Sequence, residues 1–355
     1  MDDFNNSSVR DQNMTRCDPV EKESHPFLAL GYSLLFLVGL TLNCFTLWFH
    51  CRGAHGQVSK NWMIYLKHLT AADFMLCLSL PLRIIHYTST SLTIHMVYCS
   101  FGTTLMILNM NASVLFMGYI AANRYMKIFY SSGSHFLMTA KASHIISITT
   151  WVVLLTTTTP LIIQMLTLTP CTSVQNTCYH LIHKLRKPEQ IVISISVNTF
   201  IFLLVLCSLV FFYYSTSRRV QQIQQRQLAS SNSKKLVKSR RNMLVLVSVF
   251  CFCFVPYHVI RIPAYLLGGR CSVVWYYVKE VAVFISVFNI CLDPLIYVFL
   301  CEDFRAQLKQ LFNLKGKRNT SPLEAGHSRD HLNTKSSQVL EGTTTSTETT
   351  SPISL

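Results

Sequence analysis

Residues 243–263 read MLVLVSVFCFCFVPYHVIRIP. The first ten are hydrophobic enough for lipid, yet the run goes on through Pro256 to His258 and Arg261. An arginine near the end of such a run has a purpose only if the segment's surroundings are known. Half of the 355 residues are hydrophobic and 13% are charged, against a quarter charged in ordinary soluble domains. A soluble chain this apolar lacks the charge to cover its surface, so the run is read as one of several membrane helices.

Seven segments are long enough to cross about 30 Å of hydrocarbon as helices. They lie near 27–50, 62–87, 99–130, 142–166, 189–214, 242–267 and 275–299. The expected fold is therefore an all-α membrane protein, a seven-transmembrane helix bundle with a short interfacial eighth helix. Residues 1–26 are polar, lack a signal-peptide core and carry Asn-X-Ser/Thr at Asn5, Asn6 and Asn13, acceptors for glycosylation if extracellular. The same triplet at Asn111 falls inside a span. The bundle is expected over 27–300, the interfacial helix over 301–313, and a disordered cytoplasmic tail over 314–355, ending in the Ser/Thr run 343–351.

The net charge of +15 raises nucleic acid as a partner. Its placement argues against that. The densest block, 218–241, holds eight Lys or Arg and no acid, and it lies between two apolar spans. Basic residues also follow the first, third and seventh spans, at Arg52, Lys60, Lys127, Lys141, Arg305 and Lys309. By the positive-inside rule these connections are cytoplasmic, so the N-terminus is extracellular. Lys184, Arg186 and Lys187 in the second outer connection break the pattern. The expected location is the plasma membrane.

Ionisable residues inside a bilayer are functional candidates. Asp73 and Asp293 lie at mid-span, with Asn43, Ser113 and Asn289 at depths that allow them to join. Two readings stay open: a hydrogen-bonded cluster that glues helices together, or a cation site, which two carboxylates with amide and hydroxyl oxygens suit. Arg124 closes the third span, where it either snorkels or serves a partner. Arg83, His86, His258, Arg261 and Lys279 lie in the outer halves. His258 and Arg261 are i, i+3 and share a face. Three cations at similar depth repel one another unless an anionic ligand joins them. The alternative is snorkelling, with Lys279 paired to an acid such as Glu280.

In order, GLTLN (Asn43), LTAAD (Asp73), Cys99, NRY (123–125), Trp151, FVP (Pro256) and DPLIY (293–297) resemble the markers of rhodopsin-like G-protein-coupled receptors across 27–312. HVIRIP, YVKE and CLDPLIYVFLC resemble the nucleotide-receptor branch, the group sensing ADP and UDP-sugars. LPLRIIH resembles the lysophosphatidylserine receptors. The resemblance implies an agonist carrying phosphate, a nucleotide or nucleotide-sugar, with a lysophospholipid as alternative. It implies that His258, Arg261 and Lys279 face this ligand, and the charge argument above adds Arg83 to them. It also implies an inhibitory-class heterotrimeric G protein and arrestin as partners, and an activation path through Arg124, Tyr125, Phe254, Pro256, Pro294 and Tyr297. Cys99 is implied to pair with Cys178 (Cys171 being the alternative), and Cys17 with Cys271. A sodium ion at the Asp73–Asp293 cluster is the one cofactor considered.

The sequence departs from the pattern at Asn123, Phe254 and Asp293, which stand for aspartate, tryptophan and asparagine. The fifth span lacks its usual proline, so Tyr213 and Tyr214 compete for one role. A transporter is the rival class, though no internal repeat or pair of broken helices supports it. No enzyme motif such as H-E-x-x-H or G-x-S-x-G occurs, so no catalytic residue is expected.

Overall fold

The computed structural model describes residues 25–52, 61–89, 91–130, 139–168, 188–225, 231–266, 273–301 and 304–310. The chain divides into two compact units, 1–307 and 308–355, and every contact below lies within the first. The expected glycosylation acceptors Asn5, Asn6 and Asn13, the cysteines Cys17, Cys171, Cys178 and Cys271, and the tail's Ser/Thr run all lie outside the described residues.

The helices, in chain order, are α1 (Pro26–Arg52), α2 (Asn61–Thr88), the short α3 (Leu92–Val97), α4 (Thr103–Phe129), α5 (Ala140–Leu168), α6 (Pro188–Gln225), α7 (Ser231–Leu266), α8 (Val273–Val287) and α9 (Asn289–Leu300). The end of the bundle at which α1 begins is called upper here. Among the described residues six stretches are long and apolar enough to span a bilayer, the last running through α8 and α9. The remaining long helix, α5, has 29 residues and carries a threonine run. The Thr156, Thr157 and Thr158 hydroxyls each bond carbonyls one turn back in their own helix, which satisfies them where no water is available.

Polarity is inverted relative to a soluble protein. Phe200, Val274 and Leu30 are more than half exposed, whereas Asn43, Asp73, Ser113, Asn289 and Asp293 are buried. Lipid solvates the first group, and the bundle interior must satisfy the second. Tyr213 packs against the core while Tyr214 is exposed, which gives Tyr213 the inward position on α6. Residues 304–310 are helical. Phe304 packs on the bundle, its ring 5.0 Å from Phe49 and 5.3 Å from Phe45.

Two local departures from a plain helix, and one glycine, place the functional side chains. A π-helical turn, Tyr98–Gly102, links α3 to α4. Such turns rotate the residues that follow by adding one to the helical ring. Here Tyr98 lies back over Gly102, where a β-carbon would come within 2.5 Å of the ring. The seventh span breaks at Phe288, whose carbonyl accepts from both Cys291 N (3.0 Å) and Leu292 N (3.3 Å). This turn aims Asn289 inward. Gly39 lets α1 approach α9, since a β-carbon there would meet Ile290 at 2.7 Å.

Candidate functional site

The upper cluster is built around Arg83, which is 4% exposed on α2. Its guanidinium donates from Nε and Nη2 to Tyr87 Oη, at 3.2 and 2.9 Å. Nη1 contacts Met106 Sδ at 3.1 Å, and Nη2 donates to Glu280 Oε2 at 2.9 Å. Tyr87 Oη donates to the same Glu280 oxygen. The Tyr32 ring lies 4.5 Å from the guanidinium, with Tyr87 and Tyr98 slightly farther off. Arg83 is therefore neutralised and boxed by aromatic faces.

This bears on the alternative in which Lys279 pairs with Glu280. Glu280 pairs with Arg83 across 197 residues of sequence rather than with its neighbour Lys279. The bundle places Glu280 toward α2. Lys279, one residue and about 100° earlier around the helix, is half-buried. His258 is buried on α7 with its ring 4.0 Å from Phe202 of α6, and its Nδ1 has no hydrogen-bond partner among the described residues. Arg261, half-buried one turn above, lies 5.7 Å over the Tyr257 ring. No hydrogen bond or ring contact among the described residues joins this pair to Arg83 or Lys279. His86 stacks on Tyr98 at 4.3 Å. Cys99 is disulfide-bonded, and its partner lies outside the described residues.

The polar core lies below. Asp73 Oδ1 accepts from Asn109 Nδ2 at 3.1 Å. Asn289 Nδ2 donates to Asn109 Oδ1 and Ser113 Oγ, both at 3.3 Å. The Asp293 carboxyl adjoins that of Asp73. Asn43 belongs to the rim: its Nδ2 donates to the carbonyls of Gly39 (2.9 Å) and Ile290 (2.8 Å), which locks α1 to α9. Five buried oxygens there have no donor among the described residues: Asn43 Oδ1, Asp73 Oδ2, Asn289 Oδ1 and both of Asp293. Adjacent carboxylates with spare lone pairs fit a hard cation, which takes oxygen ligands only. Asn109, the joint between Asp73 and Asn289, was missed in the sequence. Its signal was its place one turn before Ser113 on the same face.

At the lower end, Arg124 Nη2 donates to the carbonyl of Leu300 at 3.3 Å, and its guanidinium lies 4.6 Å over Trp62. No carboxylate pairs with it among the described residues. Asn123 is buried nearby. Tyr125 stacks on Phe212 and Phe129 at 4.7 and 4.5 Å. Tyr297 Oη donates to the Leu66 carbonyl and meets Thr70 Oγ1 and His50 Nε2. Pro256 and Pro294 sit within α7 and α9. A ladder of rings connects the levels: His258 on Phe202, Phe202 on Phe250 at 5.6 Å, and Phe250 on the buried Phe254 at 5.3 Å. Trp151 Nε1 donates to His68 Nδ1 at 3.1 Å and ties α5 to α2.

The pattern of the 7 transmembrane receptor (rhodopsin family) matches residues 42–297. The chain belongs to this family. Among curated relatives it is 31% identical to "Probable G-protein coupled receptor 34" of Mus musculus, over 90% of this chain and 87% of that protein. It is 30% identical to purinoceptor 14 of Bos taurus, over 84% of this chain and 88% of the relative. It is also 30% identical to purinoceptor 13 of Homo sapiens, over 84% and 83%. This rhodopsin-family member is thus a multi-pass membrane receptor that works through G proteins and small-molecule agonists. The transporter alternative falls with that assignment.

Proposed function

We propose that this receptor is a plasma-membrane sensor of a phosphate-bearing small molecule, a nucleotide or nucleotide-sugar, with its N-terminus outside and an inhibitory-class G protein within. The observation that carries this reading is the buried His258 Nδ1, unpartnered among the described residues, with Arg261 one turn above it. A buried polar atom without a partner is costly. A phosphate reaching down from Arg261 gives it one, because guanidinium binds phosphate with two hydrogen bonds. Lys279 adds a third positive group. Arg83 enters differently: Glu280 already holds it, so the agonist's anion competes with this carboxylate. The names of the two purinoceptor relatives favour a purine ligand, while LPLRIIH (80–86) supports the lysophospholipid as second reading.

In this scheme agonist shifts a pre-existing equilibrium. Its contact with His258 pushes on the ladder Phe202–Phe250–Phe254, α7 pivots near Pro256, and Arg124 leaves Trp62 and Leu300 for the G protein. A sodium ion held by Asp73, Ser113, Asn289 and Asp293 would favour the inactive packing, since α2, α4 and α9 meet at those oxygens. Arrestin reads the phosphorylated 343–351 run.

The test is a side-by-side signalling screen of nucleotides, nucleotide-sugars and lysophospholipids with each G-protein class. The expected result is saturable activation of the inhibitory class by a nucleotide or nucleotide-sugar. Activation by lysophospholipid alone overturns the ligand assignment.

A further inference from the structure

We propose that His50 is a positioning residue of the receptor's switch: its Nε2–H holds the Tyr297 hydroxyl against α2 and so restrains the lower end of α9 in the agonist-free state. This role rests on Tyr297 belonging to the activation path, and it falls to a residue that no motif in the sequence marks. His50 lies two residues before the end of α1, Leu66 and Thr70 lie on α2, and Tyr297 lies on α9. Leu66, Thr70 and Tyr297 are buried, and His50 is half-buried.

The hydrogen count fixes the donor. A tyrosine or threonine hydroxyl carries one hydrogen, and a neutral imidazole carries one on either of its two nitrogens. Tyr297 Oη gives its hydrogen to the Leu66 carbonyl. Thr70 Oγ1 meets that carbonyl at 3.1 Å and also meets Tyr297 Oη, and its single hydrogen serves one of the two. Neither hydroxyl has a hydrogen left for His50 Nε2, which stands 3.0 Å from Tyr297 Oη. His50 therefore donates Nε2–H, and the tyrosine oxygen accepts it. The rings agree with this seat: His50 meets Tyr297 edge to face at 5.3 Å, and the Phe304 ring lies 5.7 Å from that of Tyr297.

The seat bears on Arg124. Leu300, whose carbonyl accepts from Arg124 Nη2, lies three residues after Tyr297 and so on the same side of α9. Displacing Tyr297 from between α1 and α2 carries Leu300 with it and weakens the hold on Arg124. His50 thus acts on Arg124 through α9. The plainer role is a polar side chain that ties α1 to α9 and adds stability only. The two differ in consequence: under the plainer role, loss of the N–H lowers the melting temperature and leaves Tyr297 where it is.

The experiment uses full-length receptor in lipid nanodiscs with Tyr297 replaced by 3-fluorotyrosine, which keeps the hydroxyl and reports its surroundings by fluorine NMR. His50→Phe keeps a ring and removes the donor, whereas His50→Gln puts an amide N–H at similar reach. In His50→Phe a second fluorine signal should grow, shifting the ratio of the two states by about 3–10-fold, the factor expected for one net hydrogen bond. His50→Gln should restore the wild-type spectrum. Agonist-independent GTP exchange, measured with purified heterotrimers of each class, should rise by a similar factor in His50→Phe and return in His50→Gln. State populations unaltered by His50→Phe, or altered equally by His50→Gln, overturn the proposal. So does unchanged exchange on a G protein that the wild-type receptor activates. Neither measurement uses an agonist, so failure of the ligand assignment leaves the test intact. If His50→Phe folds poorly, NMR of nitrogen-labelled histidine carries the test, with the His50 signals assigned by their loss in His50→Gln: a protonated Nε2 supports the donor, and a bare Nε2 overturns it.

Discussion

Glu280→Gln tests whether the upper cluster is held by charge. Arg83 is 4% exposed, and its guanidinium lies 2.9 Å from Glu280 Oε2. Two unit charges about 4 Å apart are worth about 4 kcal/mol at an effective dielectric constant of 20. Gln keeps a neutral acceptor worth about 1 kcal/mol, and the Tyr87 hydroxyl still accepts from Arg83. The net loss should be about 2–3 kcal/mol, toward the low end for an orphaned buried charge because Glu280 retains some exposure. For a bundle of this size that lowers the melting temperature by roughly 4–6 °C. The assay is thermal unfolding of the purified receptor without agonist. Arg83→Met should destabilise at least as much, since it leaves the Glu280 carboxylate with Tyr87 alone. Arg83→Met/Glu280→Leu should recover much of the loss, as apolar replacement of a whole buried pair often does. A coupling of about 2 kcal/mol in the cycle is expected. Strictly additive effects, or an unmoved melting temperature in Glu280→Gln, would disprove this account and return Arg83 to the role of a snorkelling cation.

Four further outcomes are expected. Arg261→Ala should weaken agonist potency by about 2–5 kcal/mol at equal surface level, and Arg261→Lys by less; unchanged potency removes Arg261 from the pocket. Sodium should raise the melting temperature of the agonist-free receptor relative to choline at equal ionic strength, and Asp73→Asn should abolish the difference; a sodium response that survives Asp73→Asn argues for the hydrogen-bonded cluster alone. Trp62→Ala removes an aromatic face worth about 0.5–2 kcal/mol to Arg124, and should raise agonist-independent GTP exchange; a basal rate equal to wild type would show that Trp62 does not restrain Arg124. Truncation before residue 343 should impair arrestin recruitment, and intact recruitment excludes the 343–351 run.

The class of this protein was legible in its primary structure. Hydropathy is a local quantity, so apolar runs separated by basic connections read directly as membrane helices, and the ionisable residues within them stand out. Asp73, Asp293, Arg83, Arg124, His258 and Arg261 were legible for that reason, and the order of short motifs then carried the family. What each charge meets was settled only by the packing of the bundle. Glu280 could be assigned to Lys279 or Arg83 only once the face of α8 against α2 was known. Asn109 became the joint of the polar core because the turn at Phe288 brings Asn289 within 3.3 Å of it. Tyr213 was chosen over Tyr214 by the rotation of α6, and Arg124 found Trp62 and a helix-end carbonyl where the sequence offered no acid. Partners of this kind lie tens to hundreds of residues apart. Their selection depends on helix rotation and depth to within an ångström or two, which no local pattern encodes.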